Sequence, residues 1–199
     1  QFDTIYHEHF QYWTVTTARE ALARVGLAVV DVELVATHGG SIRLWARPSE
    51  VAGDPSPAMQ EVLAAEVAAG LDTVAGHAGF AARVARVRND LVGFLIEASR
   101  QGRSVVGYGA PGKGNTMLNY CGIRPDLLAW TVDRNPYKHG RYTPGTRIPV
   151  YPPERIEQEK PDYVLILPWN LRDEIVAQLA PVREWGGRLV VAIPELEVI

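Results

Sequence analysis

The chain has 199 residues, of which 47% are apolar and 22% charged, with a formal net charge of −3. This length and composition suit one domain or one and a half around a buried core, and they exclude a disordered tail. No window approaches the roughly eighteen consecutive apolar residues of a membrane span, and the single cysteine, Cys121, excludes a disulfide framework or a multi-cysteine zinc site within the chain. The expectation is a soluble, cytoplasmic protein with no reason in its overall charge to bind nucleic acid or a membrane. Charge is uneven, however: residues 101–147 hold seven Lys/Arg against two Asp/Glu, which suggests a local anion site. The first residue is Gln1 and no signal peptide follows it, so the sequence reads as a fragment.

In chain order, residues 2–13 are aromatic and β-branched, and residues 14–18 supply hydroxyl groups for a helix start. Thr16 or Thr17 followed by Glu20 resembles a capping box, and a helix to about Val25 should end at Gly26. Residues 27–35 alternate as a strand does, Thr37-His38-Gly39-Gly40 is turn chemistry, and residues 41–46 form a second strand. Residues 47–57 are a polar link. Residues 58–101 are helical, broken near 70–76, with Phe80, Val84, Val87, Leu91, Phe94 and Ala98 on one packing stripe.

After Gly102 the period changes. Strands are expected at 103–107, 127–132, 163–167 and 188–193, and helices at 110–120, 153–160 and 171–180. This alternation implies a parallel sheet with helices on its faces.

Gly107-Tyr108-Gly109-Ala110-Pro111-Gly112-Lys113-Gly114-Asn115 lies where a strand turns into a helix. The spacing of Gly107, Gly109 and Gly112 is that of a phosphate-binding turn, in which glycine admits close backbone approach and the helix start offers N–H groups. The same glycines also serve any tight strand-to-helix turn. Asp133 ends the next strand, where dinucleotide sites place a carboxylate on a ribose, and Arg134, Asn135, Lys138, Arg141 and Arg147 follow it. Pro168-Trp169-Asn170 ends the third strand; Trp169 and Asn170 either stack on and bond a ligand, or pack on the sheet and cap the next helix.

Tyr6-His7-Glu8-His9 places four polar groups inside an aromatic stretch. If extended, His7 and His9 share one face, and Tyr6 and Glu8 the other. Three readings compete: a metal pair with too few further ligands, general-base chemistry, and satisfied surface residues.

Together with Phe2-Asp3-Thr4-Ile5, Phe10, His38-Gly39-Gly40-Ser41, Thr131-Val132-Asp133-Arg134-Asn135-Pro136 and Leu167-Pro168-Trp169-Asn170, these motifs resemble the C-terminal part of S-adenosylmethionine-dependent sugar C-methyltransferases, which act on nucleotide-linked 4-keto deoxysugars. Family members commonly have alanine where Gly112 stands. The resemblance implies an α/β fold: a Rossmann-like parallel sheet with flanking helices over residues 103–199, preceded by the terminal strands and helix of a class I methyltransferase domain (1–50) and a helical connector (51–102). It implies S-adenosylmethionine held mainly upstream of this chain, zinc only in an N-terminal domain outside it, and a partner that is a nucleotide-linked 4-keto deoxysugar, with dTDP as the expected nucleotide.

By the same resemblance His9 is the first choice of base for the proton at C3 of the sugar, with His7 as its rival. Glu8 would orient His9, which needs a bend between them, and Tyr6 would bond the sugar or its enolate. Gly107, Tyr108, Gly109, Ala110, Lys113, Asn115, Arg134, Asn135, Lys138, Arg141, Trp169 and Asn170 would hold the nucleotide sugar. A nicotinamide-dependent oxidoreductase fragment, resting on the glycines and Asp133, and a non-catalytic nucleotide-sugar-binding module are the competing readings.

Overall fold

The structure is a computed structural model that describes residues 2–199; Gln1 lies outside the described residues. The chain divides into two compact units, one of Phe10–Ala81 and one that joins Gln1–His9 to Ala82–Ile199.

The Phe10–Ala81 unit is built on a hairpin. Strand β1 (Leu27–Val35) pairs antiparallel with β2 (Ser41–Pro48), with a bulge between Val29 and Asp31. Helices α1 (Val15–Ala23) and α2 (Pro57–Ala68) pack on β1. Val15, Val29, Val32 and Met59 form a small buried core.

The capping box of α1 pairs Thr14 with Thr17, so it ends three residues ahead of the expected Glu20. Thr14 is the N-cap and exchanges hydrogen bonds with Thr17, each hydroxyl accepting the other's N–H at 3.1 Å. Thr17 takes the place expected for Glu20, and Glu66 of α2 adds a carboxylate at the same helix start: it accepts the N–H of Val15 at 2.6 Å, and the N–H and hydroxyl of Thr16 at 2.9 and 2.7 Å. Donors left over at a helix start have thus found a long-range partner. The α2 N-cap is Ser56, whose hydroxyl accepts the Met59 N–H at 3.1 Å ahead of Pro57 in the first turn. Helix α3 (Val74–His77) follows the expected break.

The larger unit contains α4 (Phe80–Arg100) from Ala82 onward, β3 (Val105–Tyr108), α5 (Gly112–Cys121), β4 (Thr131–Val132), β5 (Val150–Tyr151), α6 (Arg155–Glu159), β6 (Tyr163–Ile166), α7 (Arg172–Gln178), β7 (Arg188–Val191) and β8 (Glu197–Val198). The sheet order is β5-β4-β3-β6-β7-β8, parallel throughout except for β8. Chain order runs outward from β3 to β5 and then returns to β6 on the other side of β3. The switch point of this doubly wound sheet therefore lies between β3 and β6, where such sheets bind ligands at their carboxyl edge.

Alternating residues feed two cores. Val105, with Leu91, Leu95 and Ala98 of α4 and Met117, Leu118 and Cys121 of α5, packs one face; Val106 and Tyr108, with Ile156 of α6 and Ile175 of α7, pack the other. On α4 the predicted stripe holds at Val84, Leu91 and Ala98, while Leu95 replaces Phe94 as the fully buried member. Strands β5 and β8, two residues each, were not expected from sequence. Among the described residues no helix is long and apolar enough to cross a membrane.

Candidate functional site

The glycine-rich turn joins β3 to α5 at the switch point. A Cβ on Gly107 would lie 2.6 Å from Oγ1 of Thr131 on β4, and one on Gly109, at φ +87°, would lie 2.7 Å from Cδ of Pro168 beyond β6. Gly114 meets Leu167 Cβ at 3.0 Å in the same way. Packing of the turn against both neighbouring strands thus accounts for these three glycines. The Thr131 hydroxyl donates to the Gly109 carbonyl at 2.7 Å and fixes the peptide orientation from inside. Gly112, the first residue of α5, differs: its Cβ would meet only the Tyr6 ring, at 3.7 Å, an ordinary contact. An alanine fits there.

Asp133 binds the protein itself. Its carboxylate accepts the Ala110 N–H at 2.7 Å, the Asn135 N–H at 2.8 Å and the Lys138 ammonium at 2.8 Å. Lys138 also donates to the Ala110 carbonyl at 3.0 Å, and the His139 ring donates to the Asp133 carbonyl at 2.7 Å. Burial pushes the Asp133 pKa up, but the bonds from Lys138, Asn135 and Ala110 outweigh it and hold the carboxyl below the ordinary range. The carboxylate that a dinucleotide ribose would need is spent on closing the turn. A ribose at this corner, whether of a nicotinamide cofactor or of S-adenosylmethionine, would meet a carboxylate already bonded to Ala110, Asn135 and Lys138.

The Tyr6-His7-Glu8-His9 segment belongs to the same unit and is a turn, which corrects the extended arrangement. The His9 N–H donates to the Tyr6 carbonyl at 2.9 Å, with the bend at His7 and Glu8. The consequence is that Tyr6 and His9 come together, their rings 4.4 Å apart edge-on, rather than His7 and His9 sharing a face. Tyr6 is half-buried against Gly112, whereas His7, Glu8 and His9 are exposed.

Directly before this turn, Phe2 enters the core beside the Tyr120 ring, and Asp3 is 1% exposed. Asp3 Oδ2 accepts the Trp169 indole N–H at 2.5 Å, and the Lys113 ammonium stands 4.8 Å from the centre of that indole. Lys113 is itself buried, which lowers its pKa, with the Asp3 charge acting in the opposite direction. In the sequence Asp3 is visible only within the Phe2-Asp3-Thr4-Ile5 motif, as a carboxylate placed between Phe2 and Ile5 in an apolar opening, and carries no predicted role.

The predicted binding residues are thus divided. Lys113 and Trp169 lie with Asp3, and Gly112 with Tyr6, beside α5. Tyr108 and Arg134 line a separate cleft of about 480 Å³ on the side packed by α6 and α7, together with His139, Gln178 and Trp185. There the Tyr108 hydroxyl donates to Gln178 at 3.0 Å, and Arg134 reaches Glu174 at 3.6 Å. Asn135 caps the turn at 136–138 by accepting the Tyr137 N–H at 3.0 Å, and Arg141 is exposed on the following loop. Asn115 is half-buried on α5. Asn170 is half-buried and does not cap α7, which starts from Leu171 without a side-chain cap. Among the described residues no three His, Cys, Asp or Glu side chains gather as metal ligands.

A family model described as the C-methyltransferase C-terminal domain matches residues 36–194. The chain belongs to that family. It is also 39% identical over all 199 residues to C-methyltransferase NovU of Streptomyces niveus, of which it covers 47%. The chain therefore spans about half the length of this curated relative. The family match begins at residue 36, so the Tyr6–His9 turn lies outside it and is covered by the similarity to the relative.

Proposed function

We propose that this chain is the C-terminal part of an S-adenosylmethionine-dependent C-methyltransferase that methylates C3 of a nucleotide-linked 4-keto deoxysugar, in antibiotic or cell-surface deoxysugar biosynthesis, with dTDP as the nucleotide. The observation that carries this reading is the seating of the Tyr6–His9 turn on the N-terminus of α5, which puts a candidate base and an anion-favouring helix start in one unit. S-adenosylmethionine supplies the methyl group, and the closed Asp133 corner supports its being held by another part of the enzyme.

The chemistry that falls to this chain is proton removal and orientation. The C4 ketone acidifies the neighbouring C3 proton; His9 takes that proton, and the electron pair moves into the C3–C4 bond and onto the C4 oxygen as an enolate. Histidine suits the task because it titrates near neutrality. The Tyr6 ring, edge-on to His9, limits the directions from which a sugar approaches, and its hydroxyl can donate to the developing oxyanion. Glu8 follows His7 in the bend and would tune the pair electrostatically. The helix start with Lys113 and Asn115, the loop of Arg134, Asn135, Lys138 and Arg141, and Trp169 and Asn170 are assigned to the nucleotide portion.

The test is exchange at C3 in the full-length enzyme, incubated in deuterated water with the nucleotide-linked ketosugar and no methyl donor. Wild type should introduce one deuterium, and His9→Ala should slow exchange and methyl transfer together by about 10²- to 10⁴-fold, while His7→Ala retains both. Unchanged turnover in His9→Ala would remove His9 from the mechanism. Tight binding of NAD with no response to dTDP would overturn the substrate assignment.

A further inference from the structure

A carboxylate buried in an apolar setting is costly unless its bonds repay the loss of water. Asp3 is 1% exposed behind a core phenylalanine, one of its oxygens is bonded to the Trp169 indole at 2.5 Å, and its other oxygen makes no hydrogen bond. A neutral side chain would fill this place at less cost. Its position along the chain is informative. Asp3 precedes Tyr6 by three residues, a span of at most about 10 Å of extended chain, and the backbone between them is bent by bonds from Ile5 to Phe2 and from Tyr6 to Thr4 at 3.2 and 2.9 Å. Trp169, in turn, follows Pro168, the residue against which Gly109 closes the switch point.

We propose that Asp3 is a positioning residue: its bond to the Trp169 indole pins the Tyr6-His7-Glu8-His9 turn to the carboxyl edge of the sheet, so that the exposed histidines hold a set place relative to the glycine turn. Phe2 fixes the segment in depth, and Asp3 fixes it in direction. The Lys113 ammonium at the same indole keeps the ring clamped between a cation and an anion. The inference rests on the reading of Tyr6–His9 as a catalytic turn, and its test separates the two.

In the full-length enzyme without substrate, amide hydrogen exchange across residues 2–9 should rise about 10-fold or more in Asp3→Ala and in Trp169→Phe, and should stay near wild type in Asp3→Asn, whose amide oxygen still accepts the indole N–H. With substrate, Asp3→Ala should lower kcat by about 10- to 100-fold with KM nearly unchanged, Asp3→Asn should restore most of it, and Asp3→Ala combined with Trp169→Phe should lower kcat no further than Asp3→Ala alone, any added loss from Trp169 appearing in KM. Wild-type exchange in Asp3→Ala, or an Asp3→Asn variant as damaged as Asp3→Ala, would overturn the proposal. Should wild type transfer no methyl group to a nucleotide-linked ketosugar, the functional reading fails, and the exchange measurements still decide the anchor.

Discussion

The two units spend their apolar residues differently. The six-stranded sheet is covered on both faces, and its central strands read as near-continuous apolar runs, with Val164, Leu165 and Ile166 all at most 1% exposed. The hairpin of Phe10–Ala81 is covered by α1 and α2 over only part of its length, and it leaves Leu34 67%, Trp45 43% and Ile42 37% exposed. A strand buried twice needs no alternation and tolerates no polar residue, while one buried once must alternate. In the hairpin unit the Glu66 carboxylate ties α2 to the start of α1, while close packing on both faces orders the central strands of the sheet.

The largest expected effect tests packing at the glycine turn. Gly109→Ala forces a Cβ into Pro168 at positive φ and should cost about 3–4 kcal/mol in urea unfolding, whereas Gly112→Ala should be neutral or slightly stabilising. Equal costs would mean that the two glycines share one role.

Next in size, Leu165→Ala should lose about 3 kcal/mol, against less than about 0.5 for Leu34→Ala at the exposed end of β1. A large loss at Leu34 would erase the contrast between the two units.

The hairpin unit should show its dependence on polar bonds at Glu66: replacement by alanine strips three donors at the start of α1 and should cost about 2–3 kcal/mol, read as lost amide protection at Val15 and Thr16.

The smallest effect concerns acid. Because the folded pKa of Asp133 lies below its ordinary value, the stabilisation it brings is complete above about pH 4 and drains away as pH falls through the folded pKa. Asp133→Asn should flatten that acid limb, at a cost near neutrality of about 1 kcal/mol.

Elements with a strong period were legible in sequence. The alternation at residues 27–35 marks β1 to the residue, and the four-and-three spacing marks α4. Strands β5 and β8 were not, because two residues display no period and their pairing is decided by the strands beside them. At the site, residue types were readable but their partners were not. Spacing brings Asp133 to the end of a strand in a ribose-binding sheet and in this one alike; only the positions of Ala110 and Lys138 show which it is. The bend at His7 and Glu8 likewise depends on where Phe2 and Asp3 are held, and local pattern contains no trace of that.

The Asp133 clamp has a consequence for how the molecule responds to a ligand. A loop whose donors and acceptors already satisfy one another is set before any ligand arrives, so the nucleotide sugar proposed to bind at the β3–α5 corner would meet a finished mould rather than one that forms around it. With the turn at residues 6–9 pinned by Asp3 as proposed, a compound shaped to the corner should meet the same surface with or without substrate present.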